Sequence, residues 1–238
     1  MLAGHGLRVV ALDLRGHGDS GWSQDGVYGL DRYRDDVLAV LDQLAAPAMM
    51  VGASLGGLTG MVVAAEAGPT RVPGLVLVDV VPRIEPAGGA RIAGFMAGHG
   101  DGFASLDEAA EAVAVHLPHR TRPRSPEGLR RNLRLREDGR WYWHWDPRML
   151  AMPAPDDRAG HLRRLEEAAR TLEIPVLLLW GRLSDVVSAE GVGEFRALVP
   201  HAEVVALPGA AHTAAGDDND ALSRAVVDFC TRARQIPR

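Results

Sequence analysis

The sequence predicts an α/β protein built on a mostly parallel sheet, with a helical segment inserted between sheet strands. Three observations predict it. Short apolar runs rich in β-branched residues alternate along the chain with stretches of helical apolar spacing, the order a parallel sheet requires. Several of the runs stop abruptly in Gly-containing turns. The composition, 238 residues with 47% hydrophobic and 24% charged, is that of one ordered globular core.

In chain order, residues 7–14 form an apolar run closed by Arg15-Gly16-His17-Gly18-Asp19-Ser20-Gly21, which predicts a buried strand and a loop. Tyr33, Val37, Leu41 and Leu44 then recur at helical spacing until Pro47, predicting a helix over 30–46. A second apolar run, 48–52, breaks at Gly52-Ala53-Ser54-Leu55-Gly56-Gly57, and Leu58, Met61, Val62 and Ala65 mark the next helix. Runs at 75–81, 175–180 and 203–207 predict three more strands, 190–198 a helix, and 221–234 a C-terminal helix capped near Asn219 or Asp220. Between 83 and 165 the pattern changes to Ala- and Arg-rich amphipathic segments, breaks such as Pro118 and Pro123, and the aromatic run Trp141-Tyr142-Trp143-His144-Trp145. The expected organisation is a core of residues 1–82 and 166–238 with a helical cap at 83–165.

Composition removes whole classes of function. A net charge of -5 offers no basic excess for nucleic acid. All 26 basic residues are Arg, so there is no phosphate-loop lysine, no aldimine and no Ser-Lys dyad. Cys230 stands alone, which excludes an internal disulfide and multi-cysteine zinc sites and suits a reducing, cytoplasmic setting. No apolar run approaches membrane-spanning length, and the first residues lack an export signal. Residues 16–21 fit G-x-G-x-x-G, but residues 22–26 intervene before any helix, so the dinucleotide reading fails. His201-Ala202-Glu203 lacks the cysteine pair of a zinc deaminase, and His116 with His119 lacks further ligands. Neither a metal nor a cofactor is expected, and the expected partner is a small-molecule substrate, with no membrane or nucleic acid.

Gly52-Ala53-Ser54-Leu55-Gly56 is a G-x-S-x-G pentapeptide on a strand-to-helix turn. By itself it is a common small-residue turn. A serine hydroxyl becomes a nucleophile only when a base takes its proton, and an imidazole base needs a carboxylate to hold its tautomer. The chain offers these in order. Asp185 follows the strand at 175–180, and His212 follows the strand at 203–207; Asp79, ending the strand at 75–81, is the alternative acid. Asp185 and His212 lie just past the C-terminal ends of parallel strands, where open α/β sheets place their sites.

These motifs together resemble the α/β-hydrolase superfamily over nearly the whole chain. Residues 12–20 look like its strand-four turn, 51–57 its nucleophile elbow, 180–185 its acid loop and 208–212 its histidine loop. The flavour is that of the capped esterase and cofactor-free haloperoxidase-like branch; a serine at the elbow speaks against the dehalogenase and epoxide-hydrolase branches. The resemblance implies Ser54 as nucleophile, His212 as general base, Asp185 as orienting acid with Asp79 as alternative, and the Leu55 N–H as an oxyanion donor. Trp141, Trp143 and Trp145 share a face if extended and are candidates to line the substrate pocket, against the alternative that they are cap core.

The function implied is hydrolysis of a small carboxylic ester or related acyl substrate through an acyl-enzyme. The alternatives are C–C bond hydrolysis, haloperoxidase-like perhydrolysis, and a non-catalytic ligand-binding relative. Family members begin with about three more strands, the third followed by a loop carrying the other oxyanion donor. Residues 2–6 look like the end of the helix after that loop. The chain is therefore expected to be a fragment, with unpaired edges on the runs at 7–14 and 48–52 and weakened activity.

Overall fold

A computed structural model describes residues 2–118, 125–150, 155–212 and 219–233. His119, Pro123 and the expected helix end at residue 234 lie outside them. A short 3-10 turn at Leu2–His5 precedes α1 (Leu30–Gln43), β1 (Met50–Ala53), α2 (Leu55–Ala67) and β2 (Leu75–Val78). Then come α3 (Pro86–Ala97), α4 (Leu106–His116), the hairpin strands β3 (Leu133–Leu135) and β4 (Trp141–Trp143), and α5 (Pro155–Arg170). The chain closes with β5 (Val176–Gly181), α6 (Ala189–Leu198), β6 (Glu203–Leu207) and α7 (Asn219–Ala233). No helix of the described residues is long and apolar enough to cross a membrane.

The chain divides into two compact units, one of residues 1–12, 29–89 and 153–238, the other of residues 13–28 and 90–152. The first unit holds an all-parallel sheet in the order β1-β2-β5-β6. Its two central strands read Leu-Val-Leu-Val and Val-Leu-Leu-Leu, and every one of those side chains is buried. That is the pattern of strands covered on both faces, with each buried Val or Leu contributing about 1.5–3 kcal/mol. Met61, Val62 and Val63 of α2 are buried, and Phe229 and Val226 of α7 join Val76, Leu177 and Leu207 in a core cluster. Leu30, Tyr33 and Val37, at helical spacing, form the buried stripe of α1.

The unit boundaries differ from those read in the sequence at both ends of the inserted segment. Residues 13–28 belong with the second unit, whereas α5 belongs with the first. α5 buries Leu165, Ala168 and Ala169 and packs with α2, and Arg164 adds pairs with Asp31 of α1 and, at 3.1 Å, with Glu66 of α2. The second unit is also not purely helical. Leu133–Leu135 and Trp141–Trp143 pair antiparallel across a turn in which Gly139 has a φ of 76°, and strands this short leave little alternation to read.

One predicted strand does not form. Residues 7–14 carry no ladder, and Val9 is 52% exposed where burial was expected. The physical reason is a missing neighbour. β1 is paired to β2 along one edge, and among the described residues no strand pairs with its other edge, where Val51 is 45% exposed. A cavity of about 890 Å³ runs there, lined by Leu7, Val9, Val10, Met49, Val51 and Pro73 among others. An extended segment gains ladder hydrogen bonds only from an adjacent strand, so the apolar run at 7–14 stays irregular.

Candidate active site

The parallel register sets the frame of the site. Ala53 of β1 lies opposite Val78 of β2, so the residues that follow, Ser54 and Asp79, emerge side by side from the C-terminal edge of the sheet. The Ser54 N–H donates to the Val78 carbonyl at 3.3 Å, and the Asp79 N–H to the Leu179 carbonyl at 2.8 Å. Ser54 and Asp79 are the non-glycine residues with positive φ among those described, both at 47°. Such backbone costs of order 1–3 kcal/mol per residue and persists only where the surroundings enforce it.

At Ser54 the enforcement is a lack of side chains. A Cβ on Gly52 would lie 2.4 Å from the carbonyl of Gly56, and one on Gly57 would lie 2.5 Å from Val80. With hydrogens there instead, strand and helix close tightly and Ser54 caps α2 with φ 47° and ψ -121°. Ser54 is exposed, and its side chain makes no capping bond to the helix it opens. Leu55 begins that helix, and a first-turn N–H has no carbonyl four residues behind it.

His212 is brought to the same edge by the loop after β6. The Leu183 N–H donates to the Ala210 carbonyl at 2.9 Å and the Arg182 N–H to the Leu207 carbonyl at 3.0 Å. Gly181 permits this approach, since a Cβ there would sit 2.6 Å from the carbonyls of Ala210 and Ala211. So held, His212 Nδ1 donates to Asp79 Oδ2 at 2.9 Å. The carboxylate is 0% exposed and the imidazole 13%.

Asp79 also accepts from the Gly181 N–H at Oδ1, 2.9 Å, and from the Ser184 hydroxyl at Oδ2, 2.5 Å. A buried carboxylate is tolerated when donors surround it, and these do. With Nδ1–H committed to Asp79, the lone pair of Nε2 is the free basic position of the ring.

The structure thus gives His212 a different carboxylate from the one preferred on sequence grounds. Asp185 is exposed, and its backbone carbonyl lies where a Cβ on Gly88 would meet it at 2.1 Å. The chain after Gly181 turns so that Ser184, one residue earlier, faces the site. Asp79 had a signal of its own: an acid flanked by Leu75–Val78 and by Val80 and Val81 must be buried, and a buried acid must be paired. Ser184 had none.

Trp141 and Trp143 pack against the buried cluster of Phe103, Leu106, Ala109 and Leu133. Trp145 stacks on Trp143 with centroids 4.8 Å apart, and Arg130 lies over the Trp141 ring at 4.7 Å. The three indoles expected to line a pocket are accordingly engaged with their own unit. The cavity beside β1 is lined by none of Ser54, Asp79 or His212.

Comparison with known proteins agrees with this fold. A family model described as alpha/beta hydrolase fold matches residues 1–218. Esterase Rv0045c of Mycobacterium tuberculosis is 32% identical over 212 residues, which make up 84% of this chain and 66% of the relative. The chain thus spans about two thirds of that relative's length. 2-(Acetamidomethylene)succinate hydrolase of Mesorhizobium japonicum is 32% identical over 226 residues, 93% of this chain and 77% of the relative. The crystal structure of E-2-(acetamidomethylene)succinate hydrolase superposes with a TM-score of 0.77 at 26% identity, covering 92% of this chain and 80% of that one. With its parallel sheet, its strained serine at a strand-to-helix turn and relatives that are esterases and hydrolases, the chain belongs to the α/β-hydrolase fold family.

Proposed function

We propose that the protein hydrolyses a small carboxylic ester or related acyl compound through an acyl-enzyme on Ser54, with His212 as general base and Asp79 as its orienting acid. The observation that carries this reading is the 2.9 Å bond from His212 Nδ1 to buried Asp79, which follows the strand next to that of Ser54, a serine with a φ of 47°, at the same register level. Ser54 Oγ attacks the acyl carbonyl while its proton passes to His212 Nε2, and the carbonyl electron pair moves onto oxygen. The Leu55 N–H, at the positive end of α2, is placed to meet the charge that develops there. Collapse expels the alcohol, which takes the proton from His212. Water then repeats the sequence on the ester of Ser54, releasing the acid and restoring the serine. Asp79 stabilises the imidazolium in both halves without accepting its proton.

The relatives that bear the names esterase and hydrolase support the reaction class. The acyl group and the pocket that selects it are set by residues outside this constellation. The test is a fluorophosphonate probe followed by peptide mapping. Labelling confined to Ser54, abolished in Ser54→Ala and slowed in His212→Gln, is the expected result. Undiminished labelling in Ser54→Ala overturns the assignment of the nucleophile.

A further inference from the structure

We propose that Ser184 is a positioning residue for this reaction, its hydroxyl pinning the carboxylate of Asp79 against His212 and drawing off part of that carboxylate's charge. The inference rests on the catalytic reading above and extends it to a residue that no motif marks. Its basis is the direction of one proton. Ser184 Oγ accepts from the N–H groups of Val186 at 3.2 Å and Val187 at 3.1 Å. Those amides occupy the acceptor side of the hydroxyl, so its hydrogen points to Asp79 Oδ2, 2.5 Å away.

Oδ2 is also the oxygen that receives His212 Nδ1 at 2.9 Å, while Oδ1 is held by the Gly181 N–H at 2.9 Å. Gly181 and Ser184 therefore fix the plane of the carboxylate from both oxygens, and the imidazole meets an acceptor already aimed at it. The loop carrying Ser184 is itself anchored. Trp180 Nε1 donates to the Val187 carbonyl at 2.9 Å, and the Glu85 N–H to the Val186 carbonyl at 2.9 Å.

A second donor on Oδ2 competes with the imidazole for its charge. Removing that donor makes Oδ2 a stronger partner for protonated His212, so the imidazolium persists to higher pH. The same removal frees the carboxylate to rotate. Among the described residues, the other charged side chains on the segments that carry and follow the pair are Arg182 and Asp185 beyond β5 and Arg83 and Glu85 beyond β2. Arg182 and Asp185 are exposed, Arg182 lies 5.5 Å above the Trp180 ring, and Arg83 is engaged with Glu166 and Glu194.

The experiment compares wild type, Ser184→Ala and Ser184→Thr in two readouts on the full chain. One is the pH dependence of kcat/KM on p-nitrophenyl acetate. The other is the NMR titration of the His212 ring, assigned by its loss in His212→Gln. In Ser184→Ala, the acidic limb and the ring titration are expected to move up together by about half to one pH unit, with plateau kcat/KM lower by roughly 3- to 10-fold. Ser184→Thr, which keeps the hydroxyl, returns both midpoints to wild type. Unchanged midpoints in Ser184→Ala, with only a lower melting temperature, overturn the proposal and leave Ser184 as a turn residue. The NMR arm needs no turnover. A chain inactive on esters whose ring titration still shifts would refute the reaction and keep the positioning role, so the two failures are distinguishable.

Discussion

Asp79→Asn set beside Asp185→Asn separates the two carboxylates that follow sheet strands near the site. Asp79 receives hydrogen bonds from Gly181, Ser184 and His212 and is 0% exposed. An asparagine keeps one acceptor oxygen but turns an NH₂ toward one of those donors, so at least one buried bond is lost, at a cost of about 1–3 kcal/mol in stability. The backbone does not add to this, because asparagine adopts positive φ more readily than most residues.

For activity the loss is larger. Without the carboxylate, His212 is no longer held in the tautomer that leaves Nε2 basic, and its cation is unsupported. A fall in kcat/KM of about 10³- to 10⁴-fold is expected, which is about 4–5.5 kcal/mol at 1.36 kcal/mol per decade. Asp185→Asn changes an exposed side chain outside the bonds that Gly181, Ser184 and His212 make to Asp79 and should keep kcat/KM within about two-fold. The assay is steady-state hydrolysis of p-nitrophenyl acetate, with urea melts to separate folding from chemistry. A severe loss in Asp185→Asn alongside near-normal turnover in Asp79→Asn would refute the assignment.

Two further outcomes follow from the packing. Gly52→Ala places a methyl 2.4 Å from the Gly56 carbonyl, a clash with backbone that no rotamer relieves. It should lower the urea midpoint by the equivalent of more than about 2 kcal/mol and abolish probe labelling of Ser54, whereas a stable, labelled variant would refute the close approach. Cys230 is 5% exposed, and burial raises its thiol above the ordinary value. A group whose folded value is raised contributes stability below its unfolded value and loses it as pH rises through the folded one. Wild type should therefore lose stability more steeply than Cys230→Ala in alkaline urea melts, and its thiol should resist aromatic disulfide reagents until the chain unfolds. Rapid native labelling would contradict that burial.

The elements most legible in the sequence were those whose signal is local. The stripe begun by Tyr33 and Val37 requires only helical geometry, and the Gly52-to-Gly57 turn requires only that bulky side chains be absent. The central strands were legible because burial on both faces leaves no polar position in either apolar run. What failed depended on neighbours. The run at 7–14 has strand composition, yet a strand is a relation between two segments, and the described chain supplies no partner there. The hairpin of β3 and β4 failed for the opposite reason: its pairing is real, but three residues on each side are too few to show a period. Asp185 and Asp79 both follow a strand, and only the path of the turn after Gly181 decides that Ser184 reaches the Asp79 carboxylate while Asp185 is exposed.

The two left-handed residues show how the sheet sustains the site. Ser54 and Asp79 each carry the backbone strain that folding normally removes, and they occupy neighbouring strands at one register level. Ser54 is held by the closure of β1 onto α2, which the glycines at 52 and 57 allow, and Asp79 by two bonds to β5, its N–H to the Leu179 carbonyl and its carboxylate from the Gly181 N–H. The strain is therefore supported by the same parallel pairing that aligns the two residues. A perturbation that slipped β1 against β2 by one step would relax the backbone and misalign the hydroxyl and carboxylate together. Because both faces of β2 are packed, a slip would take its buried Leu-Val-Leu-Val run out of register with the side chains it fits, and that makes the movement costly. The apolar centre of the sheet thus fixes the chemistry at its edge, although none of its side chains touches the reacting atoms.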